Sequence, residues 1–281
     1  MTRRSPTVRR RRLGFELRRL REAADLNIDQ VAKALECSDS KISRIETGRV
    51  SATPRDVRDM LELYQVSNEQ RDALIQIARE ARQKGWWHEY NDVPIVPAYV
   101  GLEVAAASVR VYDPLLVPGI LQTVEYAEAV IRSVFPKLPR EEIERRAELR
   151  MTRQSLLTQD DPLMLWVVLD EAVLHRLAGE CAVAREQLHR LIEKAKLPNV
   201  TLQVLPFAAG MHAGVDGAFT IIGFDEPADP DLVFLEHAAV ALYLETAEEV
   251  DRFALLFDQL RGAALDPGAS ADFIAALAKE L

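Results

Sequence analysis

The stretch that decides the fold is CSDSKISRIETGRV, residues 37–50. Ser38 is a residue type that caps helix N-termini, because its side-chain oxygen accepts from a free backbone N–H group. Ile42 and Ile45 follow one helical turn apart and mark a buried side. The segment therefore predicts a short amphipathic helix over residues 39–47.

Similar helical patterns occur on both sides of this segment. They are LGFELRRLREAA (13–24), IDQVAKAL (28–35), a fourth helix opened by Thr53-Pro54 and a fifth opened by Ser67. Only a few residues separate the second pattern from the third, which is the spacing of a helix-turn-helix. We predict a five-helix domain of this type over residues 13–84.

The outward face of the third helix lacks large apolar residues. Short hydroxyl side chains let a helix approach base edges closely, and arginine reaches guanine or phosphate. Asp39 either accepts from a cytosine amino group or stabilises the helix start. Glu46 leans inward, and we predict an ion pair with Arg18 or Arg21. The predicted DNA contacts are Gln30, Ser38, Asp39, Ser40, Lys41, Ser43, Arg44, Thr47 and Arg49.

The charge of the chain is unevenly distributed. The net charge is −9, yet residues 1–90 contain 19 Lys and Arg against 14 Asp and Glu, and the first 21 residues contain nine Arg. Such asymmetry indicates a nucleic-acid-facing end. We predict a flexible basic arm over residues 1–12, with Arg9, Arg10, Arg11 and Arg12 contacting phosphates or the minor groove. A solvated tag is the alternative.

The segment LNIDQVAKALECSDSKISRIETGRVSATPRDVRDMLELYQV resembles an Xre/Cro-type helix-turn-helix domain, with the pattern S-x-x-x-I-S-R-I-E-x-G across the third helix. The resemblance implies that helix 39–47 enters the major groove and that a dimer binds a two-fold related operator. The family often places a phosphate-contacting Gln at the start of the second helix. Ile28 stands there in this chain, Asp29 cannot replace that contact, and Gln30 can. A helical bundle that contacts proteins is the alternative.

Residues 85–98 and 99–281 complete the predicted organisation. GWWHEYNDVPIVPAY predicts a linker over 85–98, whose Trp86 and Trp87 dock onto one of the domains or a partner chain. Beyond it, helical patterns alternate with strand-like runs, and the short loops between the last strands favour antiparallel pairing. We predict a mainly α protein: the helical N-terminal domain plus an α+β domain with one small antiparallel sheet. The helical patterns lie at 99–110, 123–134, 140–158, 171–178, 181–196, 246–263 and 270–280, and the strand-like runs at 163–169, 201–207, 218–224 and 232–237.

The second part of the chain shows little catalytic chemistry. Its histidines lack metal-ligand spacing, and no nucleophile elbow or phosphate-binding glycine loop occurs, so we predict neither an enzyme nor a cofactor or metal site. The loop GMHAGVDG, with His212, either rims a ligand pocket or forms a wide hairpin turn. Arg146, Arg150 and Arg153 share one helix face and pair with nearby carboxylates or bind a partner's acidic surface.

Compartment and membrane association follow from composition. The two cysteines are far apart, and no apolar run approaches the ~20 residues of a membrane span. No signal-peptide pattern follows the Arg-rich start. We predict a cytoplasmic protein that does not bind membranes.

V-P-G-I-L-Q-T-x-E-Y-A, R-x-x-R-Q-x-L, L-D-E-A-V-L-H-R and P-N-V-T-L-Q-V-L-P-F resemble the C-terminal domain of actinomycete antitoxin-like transcriptional regulators. The resemblance implies a domain that receives a signal or a small protein encoded nearby. The sequence thus predicts a homodimeric DNA-binding regulator, a repressor or antitoxin-like protein. A repressor gated by a small-molecule effector is the alternative, and a DNA-binding domain fused to an enzyme is a remote one.

Overall fold

The N-terminal helices begin where the sequence supplies capping residues. The protein is represented by a computed structural model that describes residues 5–90, 96–176, 181–237 and 240–281. Asn27 with Gln30, and Thr53 with Asp56, form reciprocal capping boxes, and the Ser38 side chain accepts from the Lys41 backbone N–H. The helices are α1 Pro6–Ala23, α2 Ile28–Ala34, α3 Asp39–Glu46, α4 Pro54–Leu63, α5 Asn68–Glu80 and α6 Val96–Ala105.

The core of this helical bundle is formed by the apolar positions that the periodicity predicts. Leu17, Val31, Ile42, Val57 and Leu61 are all buried in one cluster. Each belongs to a different turn of α1 to α4, so the cluster ties α2 and α3 to their supporting helices. The predicted five-helix architecture of the N-terminal domain is confirmed by α1 to α5.

The expectation of a flexible basic arm over residues 1–12 is wrong for its described part. Helix α1 begins at Pro6, and the Ser5 side chain accepts from the Thr7 backbone N–H as an N-cap. A capping serine followed by proline at the first helical position favours a helix start, and the local charge does not prevent it. Residues 1–4 lie outside the described residues.

The predicted linker over 85–98 is also partly ordered structure. Trp86–Tyr90 form a 3₁₀ helix, and residues 91–95 lie outside the described residues. Helix α6 belongs to the first of two compact units, which comprises the described residues of Thr2–Ala105 together with Glu226–Asp229. Residues 99–105, which we assigned to the second domain, therefore pack with the helical unit.

The second unit contains residues 106–225 and 230–281 and is built on a six-stranded mixed sheet in the order β3-β2-β1-β4-β5-β6. The strands are β1 Ser108–Asp113, β2 Met164–Asp170, β3 Val200–Leu205, β4 Phe219–Gly223, β5 Leu232–His237 and β6 Val240–Leu244. The helices are α7 Val124–Val134, α8 Arg140–Arg153, α9 Glu171–Arg176, α10 Cys181–Lys194, α11 Ala247–Ala263 and α12 Pro267–Glu280. The predicted mainly α fold with a C-terminal α+β domain is confirmed.

The sheet itself differs from the small antiparallel one that we expected. Strands β1, β2 and β3 are parallel, whereas β4 runs antiparallel to β1, and β5 and β6 continue in that manner. The helical pattern at 99–110 is wrong beyond Ala105, because SVRVYD forms β1 at the centre of the sheet. The long loop after β3 lets the chain pass beyond β2 and β1, so β3 and β4 are not neighbours.

Both faces of this sheet are covered. Val167 and Val168 are consecutive in β2 and point to opposite faces, yet both are fully buried. On one face, Phe257 and Leu260 of α11 pack in the same cluster as Val168 and Ile221. Within the described residues, no helix is both long and apolar enough to cross a membrane.

Candidate nucleic-acid interface

The outer face of α3 carries hydroxyl groups and a guanidinium group. Ile42 and Ile45 are buried, so the opposite side of the helix is turned outward. Among the predicted DNA contacts, the exposed residues are Gln30, Ser38, Asp39, Ser40, Arg44, Thr47 and Arg49, and the half-buried ones are Lys41 and Ser43. The predicted contacts on α3 therefore lie together on one helix face and its flanks.

Hydrogen bonds along α3 orient two of these side chains. Arg44 donates from Nε to the Ser40 carbonyl oxygen at 3.0 Å, and Thr47 donates from Oγ1 to the Ser43 carbonyl oxygen at 2.8 Å. Arginine has four further N–H donors on Nη1 and Nη2, and the described residues supply no acceptor to them. The Arg44 side chain is thus positioned along the helix, while its terminal donors remain available.

An open cleft lies between the start of α2 and the outer face of α3. Asn27, Ile28 and Asp29 line one side of it. The other side and the floor are lined by Arg21, Asp39, Ser40, Ser43 and Arg44. The cleft combines hydroxyl, amide and guanidinium groups, which are the groups that recognise phosphates and base edges.

Asn27 is a cleft residue that our sequence reasoning missed. Its side-chain oxygen accepts from the Gln30 backbone N–H at 2.9 Å, and Gln30 Oε1 accepts from the Asn27 backbone N–H at 2.8 Å. The signal was present, since an Asn followed three residues later by Gln is a capping-box pattern. Gln30 consequently uses its oxygen to cap α2, and its amide NH₂ remains the group that is able to contact a phosphate.

Lys41 is held by the neighbouring helix. Its Nζ lies 2.7 Å from Asp56 Oδ1, and Asp56 Oδ2 accepts from both the backbone and the hydroxyl of Thr53. Burial alone would raise the pKa of Asp56, but the hydrogen bonds from Lys41 and Thr53 outweigh it and lower that pKa. Lys41 therefore connects α3 to the N-terminus of α4 and contributes a positive charge at the edge of the outer face.

The predicted pairing of Glu46 is found with Arg21. Arg21 Nε and Nη2 lie 2.7 and 3.0 Å from the two carboxylate oxygens of Glu46, which is only 7% exposed. The hydrogen bond to Glu46 raises the pKa of Arg21. This bidentate pair fixes α3 on α1 and leaves Glu46 facing away from the outer face.

The four consecutive arginines of α1 are engaged within the bundle to different degrees. Arg9 forms an ion pair with Glu80 at 3.3 Å, with only 13% of its side chain exposed. Burial lowers the pKa of Arg10. All four arginines, Arg9, Arg10, Arg11 and Arg12, are half-buried. They are therefore fixed on a packed helix, in contrast to the flexible arm that we expected.

The two tryptophans have different environments. Trp87 is 3% exposed, whereas Trp86 is 36% exposed, and their rings meet edge to face at 5.9 Å. The Trp87 ring packs against Gly85 and Gly101, where any added Cβ would collide with it or with Thr7. Trp87 thus serves the core of the first unit, and Trp86 remains the more accessible candidate for a partner contact.

The remaining candidates lie in the second unit and do not form one site. Arg146 pairs with Glu142 at 3.0 Å, and Arg150 donates to Gln122 at 2.8 Å. His212 lies near the carboxyl end of β2, where its Nε2 is 3.8 Å from Asp170 Oδ2. The remaining one, Arg153, lies beside Gly119, where an added Cβ would approach its Nη1 to 3.1 Å.

Comparisons with known proteins also divide the chain into two parts, although the second match begins within the first compact unit, at the start of α6. A family model described as a helix-turn-helix domain matches residues 12–74. A second model, described as a domain of unknown function (DUF5753), matches residues 96–276. No curated protein and no solved structure matches the chain.

The first match and the α2–α3 geometry together assign a helix-turn-helix DNA-binding domain to the N-terminal part. The second match covers more than half of the 281 residues. The chain therefore belongs to the family of proteins that carry the DUF5753 domain, here preceded by a helix-turn-helix DNA-binding domain.

Proposed function

We propose that the protein is a transcriptional regulator that reads a specific operator by placing α3 in the major groove. The observation that carries this proposal is the outer face of α3, where Ser40, Ser43 and Arg44 lie opposite the buried isoleucines. A recognition helix needs small polar groups for close approach and long donors for base edges. This face offers both, and it borders the cleft at the start of α2.

The finer parts of the proposal extend the Xre/Cro-type resemblance. We propose a cytoplasmic homodimer that acts as a repressor or in an antitoxin-like manner, by binding and without catalysis. The C-terminal unit serves dimerisation and receives a small protein encoded nearby, as in the actinomycete regulators that it resembles. A repressor gated by a small metabolite is the second candidate, favoured by the guanidinium of Arg150 on α8, whose hydrogen-bond partners are neutral.

Selection of bound fragments from genomic or randomised DNA tests operator reading. At about 0.15 M salt, where electrostatic binding is screened, we expect a two-fold related site with half-sites about one helical turn apart. Recovery of fragments that share no sequence motif, and whose binding is lost with added salt, would show that phosphate contacts dominate. That result would overturn the proposal.

Substitution of Arg44 by Ala tests the recognition face. The loss of a bidentate arginine–guanine contact costs ~1–3 kcal/mol of discrimination, so Arg44→Ala should relax preference at one base position of each half-site. Arg132→Ala is the matched control, because Arg132 is an exposed, ion-paired arginine on α7 of the second unit. Competition gel shifts against single-base operator variants measure the effect. If Arg44→Ala kept the wild-type preference among the operator variants, α3 would not be the helix that contacts the bases.

The small-protein partner is tested by mixing the purified chain with the product of a neighbouring small gene. Co-elution in size-exclusion chromatography at low salt is the expected result. If the two proteins elute separately, the antitoxin-like version is contradicted, while operator reading is unaffected.

A further inference from the structure

Arg150 on α8 has only neutral hydrogen-bond partners. Its Nη1 donates to Gln122 Oε1 at 2.8 Å and, less closely, to the Ala127 carbonyl oxygen at 3.4 Å. Among the described residues, no carboxylate oxygen lies within 4.0 Å of its guanidinium group. A half-buried guanidinium without a counter-charge is uncommon, because desolvation of a charge is unfavourable unless it is paired.

Other arginines of the same helix are paired locally. Arg140 and Arg146 form i,i+4 and i,i−4 ion pairs with Glu144 and Glu142, respectively. Arg146 also lies over the Phe135 ring at 4.9 Å. Arg150 has no such option, since the residues four before and four after it are Arg146 and Gln154. The unpaired charge is therefore specific to this position.

The electrostatics around Arg150 favour an incoming anion. Burial, with the neighbouring charge of Arg153 as a second cause, lowers the pKa of Arg150 to about 10. Glu236 acts in the opposite direction, but it is not within ion-pair distance. An added negative charge at the guanidinium would offset both unfavourable effects.

A buried amide network holds Arg150 in place. Gln122 is 2% exposed, and its Nε2 donates to the Val117 carbonyl oxygen while its Oε1 accepts from Arg150. Gln154 Nε2 donates to the Gln122 carbonyl oxygen, and the fully buried Gln187 bridges Thr123 and Leu121. Both buried amides, Gln122 and Gln187, have partners on oxygen and nitrogen, so they hold the guanidinium in place before any binding.

One edge of the guanidinium has no hydrogen-bond partner among the described residues. Nε and Nη2 of Arg150 have no acceptor among the described residues, and neither atom is closed off from solvent. Gly119 packs against the aliphatic part of the Arg150 side chain. A Cβ added at Gly119 would lie 3.6 Å from Arg150 Cγ. The Nε–Nη2 edge of arginine presents two parallel N–H donors, which match the two oxygens of a carboxylate.

We propose that the Nε–Nη2 edge of Arg150 is a binding site for a carboxylate group, supplied by a free carboxylic acid or by an acidic polypeptide segment. One guanidinium with Glu236 nearby favours a singly charged group over a phosphate, which carries more charge. The site lies wholly in the second unit and goes beyond operator reading. Its test contains no DNA, so its outcome and that of the operator experiment are independent.

The test measures thermal unfolding of the full chain with three probes at constant ionic strength. The probes are propionate, a blocked glutamate-rich hexapeptide and inorganic phosphate, each compared with NaCl. A ligand that binds only the folded chain raises the unfolding midpoint, and titration calorimetry then gives its dissociation constant. A rise with propionate identifies a free acid as sufficient, and a rise with the peptide alone identifies a polypeptide segment.

Three variants locate the effect. Arg150→Gln should weaken carboxylate binding about tenfold or more, because it removes a charged hydrogen-bonded pair. Arg140→Gln, the same change on the exposed part of α8, should leave the dissociation constant unchanged. Glu236→Gln should strengthen binding, since it removes a competing negative charge, and a purely structural arginine would not produce that response.

Several results would overturn the site. They are no rise of the midpoint with either carboxylate probe beyond that in NaCl, equal binding by Arg150→Gln and the wild type, and tighter binding of phosphate than of both carboxylates. Should Arg150→Gln fail to fold, the response of Glu236→Gln still decides the question.

Discussion

At the residue scale, the sequence predicts some side-chain roles and not others. The inward position of Glu46 was read from helical periodicity, and its pairing with Arg21 is found at 2.7 Å. By contrast, Lys41 was predicted as a DNA contact on the flank of α3, and its pairing with Asp56 was not foreseen. Periodicity gives the direction of a side chain on its own helix, but it does not give the neighbour that another helix brings to it.

A residue-scale prediction concerns the pH dependence of the Asp56 contacts. In the folded chain the pKa of Asp56 is below its ordinary value of 3.8. The Asp56 carboxylate therefore stabilises the folded state above pH 3.8, and this contribution is lost as the pH falls through the folded pKa. Asp56→Asn should therefore lower the free energy of unfolding by about 1–2 kcal/mol at pH 7, through the weakened cap and ion pair. The difference from wild type should shrink as the solution is acidified.

Urea unfolding over a pH series measures this effect. Asp59→Asn is the matched control, because Asp59 is more exposed and lies 3.9 Å from Arg55 in a surface pair. A difference between wild type and Asp56→Asn that is independent of pH would contradict the assigned role of the carboxylate.

At the element scale, helix existence was more predictable than strand pairing. Capping residues such as Ser38 and Thr53 act locally, so the starts of α3 and α4 are readable from the sequence. The strand β1 was hidden because SVRVYD directly follows a helical pattern and is covered on both faces. Its partners β2 and β4 are distant in sequence, and short-range patterns do not encode such pairings.

An element-scale prediction concerns the close contact of α1 and α3. A Cβ at Gly14 would lie 2.6 Å from the carbonyl oxygens of Ile45 and Glu46. These are backbone atoms of a packed helix, so moving them to relieve the clash is energetically unfavourable. Gly14→Ala should destabilise the chain, because overpacking costs ~1–3 kcal/mol and exceeds the ~1 kcal/mol gained in helix propensity.

Thermal and urea unfolding of this variant provide the measurement. Gly262→Ala on α11 is the control, since an added Cβ there meets no atom within 4 Å, and it should stabilise its helix slightly. If Gly14→Ala were as stable as wild type, α1 and α3 would not be packed as closely as described.

At the scale of the whole molecule, charge and composition predicted two parts, but not the packing of the segment that joins them. The prolines and aromatic residues of 85–98 were interpreted as a linker, although Trp87 is buried and α6 belongs to the first unit. The Ser5 hydroxyl donates to the Gly101 carbonyl oxygen across that unit. A contact over 96 residues of chain leaves no local signal, so composition alone does not predict that α6 packs with the first unit.

A prediction at this scale compares two fragments of the chain. Residues 1–105 should unfold at a higher temperature than residues 1–84, because the shorter fragment loses the burial of Trp87 and Val100. Circular dichroism melts of both fragments give the comparison. Equal midpoints would indicate that 85–105 do not contribute to the first unit.

The order of strands in the mixed sheet also has a kinetic consequence. The central strand β1 pairs with β2 and with β4, whose residues follow it by about 56 and 111 positions, as in Ser108 with Met164 and Arg110 with Ile221. Pairings over such distances are slow to form, whereas helical bundles with local contacts form quickly. During synthesis the helix-turn-helix bundle leaves the ribosome first and folds while β4 has yet to be made. We therefore expect a nascent chain whose helix-turn-helix bundle is folded, and able to contact one half-site, before the second unit that serves dimerisation is complete.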